Sequence, residues 1–183
     1  MAQVLAMTRI PEPGPPSKLS GTVRSIEHAR RRRRRSIAAS GRIGVLIVAG
    51  DALMRAGLRR LLDDDAGLTV LGEAANGSEA ARQHSLTDAD VVVLDAGRRE
   101  SEAVELALAL RGRAAVLLLT EHDAGDPMLA ALRAGDAGVL PRDSHPADLA
   151  SAVRTVANGG ALLPPRTTRR LISELVRIPN PTE

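Results

Sequence analysis

Asp95 closes an apolar run, Val91-Val92-Val93-Leu94, that reads as a buried strand. A carboxylate at the carboxyl end of such a strand stands where open α/β sheets gather their chemistry. Two other runs end in informative residues. Residues 115–119 lead into Thr120, a hydroxyl, and residues 43–48 lead into Ala49-Gly50-Asp51. Three strand ends are therefore expected to converge on one carboxylate chemistry. The acid expected at the first of them is missing, because Ala49 and Gly50 carry no side-chain oxygen.

The elements that must position these residues begin near residue 42. Residues 43–48 form the first expected strand. Asp51 suits the N-cap of a helix whose Met54, Leu58, Leu61 and Leu62 share one face. Residues 68–74 form the second strand, ended by the turn pair Asn76-Gly77, and residues 78–86 a short helix. The third strand spans 91–95, the third helix 102–110 and the fourth strand 115–120. Asp126-Pro127 reads as a cap and first helical position for a helix ending near Gly135. A short fifth strand, 138–140, precedes Pro141, which cannot donate to a ladder and assigns the strand to a sheet edge. Pro146 opens a helix with a stripe of Leu149, Ala152, Val153 and Val156, and Gly159 stands where its C-terminal cap belongs. Residues 166–176 predict one more helix. Five strand–helix units imply a doubly wound five-stranded parallel sheet, α/β in class and covered on both faces.

Composition narrows the function. There is no Phe, Tyr or Trp, so Leu, Val, Ile and Ala must fill the core. There is no cysteine, hence no disulfide or thiolate metal site, and the four histidines lack ligand spacing. No apolar run approaches the ~20 residues that span a bilayer. No signal peptide is evident at the start. The expectation is a cytoplasmic protein without a membrane partner. Residues 1–40 carry nine Lys/Arg against two Glu, whereas the remainder carries sixteen Arg against twenty acids. Pro11, Pro13, Pro15, Pro16 and the run Arg30 to Arg35 predict a disordered basic arm over 1–40. Residues 41–160 are expected to form the domain, and 161–183 a linker-type helix and tail. No glycine-rich phosphate loop follows the first strand, which argues against a nucleotide-dependent enzyme.

The segments VLIVAGDALMRAGLRRLL at 45–62, VLGEAANGSEA at 70–80 and VVVLDAG at 91–97 occur in an order that resembles a known family. VLLLT at 116–120, ALRAGDAGVLPRD at 131–143 and GGALLPPRTTRRLI at 159–172 continue the likeness. It is a resemblance to the receiver domain of two-component response regulators, especially the NarL/FixJ-type transcriptional regulators, over about residues 42–177. The resemblance implies a flavodoxin-like fold with strand order 2-1-3-4-5 and a non-enzymatic module in a phosphorelay. It implies that Asp95 is the phosphoacceptor, that Thr120 is the hydroxyl contacting the phosphoryl group, and that Arg142 replaces the family's lysine. Ala49 and Gly50 replace the acids that hold magnesium, and Val139 replaces the aromatic switch.

These departures shape the expected chemistry. Phosphoryl transfer is largely positioning plus charge neutralisation, and magnesium wants near-octahedral oxygen coordination. Asp95 alone is a poor metal site, so no metal cofactor is expected. Asp51 is the weak candidate for rescuing magnesium, with an N-cap as its alternative role. Arg142 has two readings, an ion pair with Asp95 or an outward pair with Asp143. In the loop after Asp95, Arg98 and Arg99 are either an anion site or plain surface charges. NarL/FixJ-type regulators continue into a helix-turn-helix domain, but only six residues follow Arg177, including Pro179 and Pro181. No DNA-reading helix is expected within them.

The leading expectation is a degenerate receiver acting by protein contact with a sensor kinase or another signalling protein. Homodimerisation is expected through residues 127–156, with a link to transcription regulation implied by the resemblance. The alternatives are a working Asp95 phosphoacceptor with a modified metal site, or a nucleic-acid-associated protein using the basic arm.

Overall fold

The computed structural model describes residues 18–97, 100–121 and 137–165, together with 168, 169, 172 and 173. The helix expected over 126–135, and Arg98 and Arg99, lie outside these residues. Of the helix expected over 166–176, the described positions 168, 169, 172 and 173 are helical.

The strands are β1 (Ile43–Val48), β2 (Leu68–Ala74), β3 (Val91–Asp95), β4 (Ala115–Thr120) and β5 (Ala137–Pro141). All pairs are parallel and the order is β2-β1-β3-β4-β5, so β5 and its Pro141 lie at an edge as expected. The helices are α1 (Lys18–Ser40), α2 (Ala52–Asp63), α3 (Gly77–Thr87), α4 (Glu100–Ala109) and α5 (Pro146–Ala157).

Near-continuous apolar strands are required because both faces are buried. Successive side chains alternate between two cores. Leu46, Val92, Val116 and Leu118 pack with Ala80 of α3 and Ala103, Leu106 and Ala107 of α4. Val45, Ile47, Val93 and Leu117 pack on the other face with Leu58 and Leu62 of α2 and Leu149, Val153 and Val156 of α5. Small residues let the layers approach where aromatics are absent. At Gly138 in β5, an added Cβ would stand 2.6 Å from Val156 Cγ1 and 3.3 Å from Leu162 Cβ. Leu61, expected on the buried face of α2, is instead 38% exposed.

The expectation of disorder up to residue 40 is corrected over 18–40, where the chain is one helix of 23 residues. The arginine run does not simply repel itself, because one of its faces finds acceptors. The Arg33 side chain is buried, and its Nη1 donates to the Val156 and Ala157 carbonyls, each at 3.4 Å. Arg34 Nη2 donates to the Asn158 carbonyl at 3.1 Å. These carbonyls belong to the C-terminal end of α5, where unpaired acceptors and the helix dipole both favour a cation. Arg32 pairs with Asp88, and Ile37 packs against the α2–α5 core. Residues 30, 33, 34 and 37 share one helical face. Residues 1–17, with the prolines, lie outside the described part.

Candidate functional site

The parallel register brings the carboxyl ends of β1, β3, β4 and β5 to one rim. Asp95 of β3 is opposite Leu119 of β4, and Thr120 is opposite Pro141 of β5. The Arg142 amide donates to the Thr120 carbonyl at 2.7 Å, which fixes the backbone that carries the guanidinium. The Arg142 side chain then turns inward. Its Nε lies 3.1 Å from Asp95 Oδ1, and its Nη2 donates to Asp95 Oδ2 at 3.3 Å. Its Nη1 pairs with Glu121. Of the two readings of Arg142, the structure therefore shows the pair with Asp95. Glu121 was missed from sequence, although an acid directly after a strand-end hydroxyl was a usable signal.

The Asp95 side chain is 8% exposed. Its Oδ1 has no aligned hydrogen-bond partner, so the 3.1 Å approach of Arg142 is an ion contact without hydrogen-bond geometry. Burial pushes the Asp95 carboxyl above its ordinary range, against the opposing pull of Arg142. Glu121 shares that guanidinium and adds its own negative charge, so desolvation wins. A carboxyl whose folded pKa exceeds its unfolded value of 3.8 stabilises the fold fully below that value. That contribution is lost as pH rises through the folded pKa, so at pH 7 the charge opposes folding. Asp95→Asn is accordingly expected to raise the melting temperature at pH 7, with the gain fading as pH falls towards 3.8. Thermal melts across that range check this. A lower melting point at pH 7 would mean that the Arg142 pair outweighs burial.

Asp51 takes the N-cap role. Its Oδ1 accepts the Met54 N–H at 2.9 Å, and the Met54 and Leu53 amides hold its carboxyl below the ordinary range. Ala49 is buried and Gly50 exposed. Their carbonyls are covered by a cation, for Arg55 Nη1 donates to Ala49 O at 2.7 Å and to Gly50 O at 3.2 Å. Arg55 was also missed from sequence. It lies four residues after the N-cap, a spacing that brings a long side chain back over the strand end.

A cavity of about 200 Å³ opens above Asp95, lined by Ala49, Gly50, Asp51, Asn76, Gly97 and Glu102 among others. Among the described residues no group of three or more His, Cys, Asp or Glu could hold a metal ion. With Ala49 and Gly50 bringing no carboxylate and the Arg142 guanidinium held on Asp95, the described residues do not fit magnesium. Thr120 is buried at the end of β4, and Val139, which stands in place of the aromatic switch in the resemblance, is buried in β5.

A model of the response regulator receiver domain matches residues 45–154. The nitrate/nitrite response regulator protein NarP of Escherichia coli is 35% identical over 130 residues, covering 69% of this chain and 60% of NarP. The chain thus spans about three fifths of that relative's length. A LuxR-family two-component response regulator from Aurantimonas superposes with a TM-score of 0.64 at 28% identity, covering 74% of this chain and 99% of that one. The signal receiver domain of the response regulator NarL from Mycobacterium tuberculosis superposes with a TM-score of 0.58 at 28% identity, covering 64% of this chain and 98% of that one.

Proposed function

We propose that this chain, which belongs to the response regulator receiver domain family, relays its signal by protein contact and not by magnesium-dependent phosphorylation of Asp95. One observation carries the reading. The Asp95 carboxylate is paired with the Arg142 guanidinium, while Ala49 and Gly50 bring no carboxylate that could help hold a divalent cation beside it. A fixed guanidinium already supplies positive charge without a vacant coordination sphere. It cannot bridge attacking and leaving oxygens as a metal ion does.

In this reading Asp95, Thr120 and Arg142 form a permanent polar rim that holds the β3–β4–β5 end in one arrangement. The partner is a sensor kinase or another signalling protein. A homodimer forms through residues 127–156, of which the described part is β5, the following turn and α5. Any DNA-linked output comes from elsewhere than this rim. No helix of the described residues is long and apolar enough to cross a membrane.

The test is intact-mass measurement of the purified chain after incubation with acetyl phosphate and magnesium. The expected result is no added phosphoryl mass, together with a dimer by size exclusion that the treatment leaves unchanged. A magnesium-dependent mass gain abolished by Asp95→Asn would overturn the reading. Repeating it with Asp51→Ala would then show whether the N-cap acid had been recruited.

A further inference from the structure

The docking of α1 decides which of its arginines are occupied and which are not. From Lys18 to Ser40 the helix carries eight Lys/Arg and one Glu. Arg33 and Arg34 are held by the carbonyls that end α5, and Arg32 by Asp88. Arg31 and Arg35 are exposed, and no hydrogen bond or ion pair engages either of them among the described residues. Four residues apart, they form one ridge on the side of α1 turned away from α5. Arg113, exposed in the turn before β4, opens onto the same cleft as Arg32 and adds a third guanidinium without an ion pair among the described residues.

The neighbouring acids do not offset this charge. Asp88 is taken by Arg32, Asp65 by Arg154 and Asp64 by Arg60. Asp90 is buried and accepts the Gly44 amide at 2.9 Å. Residues 41–183 carry sixteen Arg against twenty acids, so the ridge is the basic pole of a mildly acidic domain.

Three observations choose the partner. The run from Arg30 to Arg35 is built only of guanidinium, whose planar fork matches phosphate oxygens. Beside Arg31 and Arg35, the exposed positions Ala38 and Ala39 bring no large apolar side chain. The face therefore lacks the apolar stripe that enters a lipid surface and the buried anchor of a protein interface. The chain has no Phe, Tyr or Trp, so the bases of a single strand find no aromatic ring to stack on. The phosphate backbone of a duplex fits all three.

We propose that docked α1 is a sequence-independent binding surface for duplex DNA, with Arg31, Arg35 and Arg113 on backbone phosphates. The acidic remainder of the domain orients the encounter, because only this end is attracted. α1 precedes residues 45–154, which match the receiver family, so the surface is an addition to that domain and not part of its switch. It lies at the end of the sheet opposite Asp95, and Asp95→Asn must leave DNA binding unchanged. Failure here therefore leaves the contact-signalling reading standing.

Fluorescence anisotropy of the full chain with two short duplexes of unrelated sequence, across a salt series, tests the proposal. Both duplexes are expected to bind equally. Log affinity is expected to fall against log salt with a slope of about −3, one phosphate for each of three guanidiniums. The double variant Arg31→Gln, Arg35→Gln is expected to bring the slope to about −1 and to weaken binding at low salt at least about tenfold. Its melting temperature should match the wild type, since both side chains are exposed and unpaired. Arg60→Gln lowers the net charge as much as either single change, yet is expected to leave the slope as it is. No saturable duplex binding at low salt would overturn the proposal, as would an unchanged slope in the double variant. Equal losses from Arg60→Gln and Arg31→Gln would reduce the effect to net charge and overturn it too. So would tighter binding of the separated strands, of polyglutamate or of phosphatidylserine vesicles than of the duplexes.

Discussion

Replacing Ala49 and Gly50 by aspartate and Arg142 by lysine is expected to give a magnesium-dependent phosphoacceptor, whereas the unaltered chain is expected to take up no phosphoryl group. The aspartates would add the carboxylate oxygens that the β1 end lacks, next to the partly buried Asp95. Magnesium is commonly held by one or two carboxylates together with waters and phosphate oxygens. Lysine would replace the planar fork now committed to Asp95 and Glu121 by a compact charge on a flexible stem, free to follow a phosphoryl oxygen. Arg55 already stands on the carbonyls of residues 49 and 50, so a new carboxylate there has a cation nearby even without metal. The measurement is intact mass with acetyl phosphate, with and without magnesium, for wild type, the triple variant and the triple variant carrying Asp95→Asn. Uptake should appear only in the triple variant, only with magnesium, and disappear with Asp95. If the folded triple variant still takes up nothing, the residues at 49, 50 and 142 are not what decides phosphoryl uptake at Asp95.

The second large effect is on stability. Leu117→Ala, in the middle of β4, is expected to cost roughly 2–5 kcal/mol, by lost burial plus the cavity left behind. Leu117 is fully buried and packs in the layer that joins the sheet to α2 and α5. No aromatic side chain is present to dominate the core, so the apolar contribution is spread over Leu, Val, Ile and Ala. Against a typical net stability of about 5–15 kcal/mol, one such truncation removes a large share. The melting temperature should fall by on the order of 10 °C. Leu53→Ala is the matched comparison, because Leu53 is 83% exposed and should change stability by less than about 0.5 kcal/mol. Thermal denaturation of both variants decides the point. Equal losses would contradict the assignment of β4 to the centre of the core.

The arginine run shows why a charge count alone misleads. Residues 30 to 35 look like a self-repelling tract. In the fold, Arg33 and Arg34 reach the carbonyls that end α5, and Arg32 reaches Asp88. Those acceptors lie more than fifty residues away in sequence. Repulsion within the run is a local property, whereas the negative end of a helix dipole is supplied by a distant element.

The strands, their parallel order, the edge position of β5, the N-cap at Asp51 and the placing of Asp95 and Thr120 at strand ends were all legible in the chain. They follow from short-range rules: apolar runs of strand length, caps at fixed offsets, and a proline that cannot join a ladder. That positions 49 and 50 carry no carboxylate was legible too, since it is a matter of residue type. The direction of Arg142 was not. It depends on the Thr120–Arg142 backbone contact and on Glu121 sharing the guanidinium, which the sequence leaves open against Asp143. Nor did the chain reveal Arg55 over the β1 carbonyls or the docking of α1. Each of these joins groups from separate elements. Periodicity and capping act over a few residues, but burial, ion pairing and cavity shape arise only when distant segments are brought together.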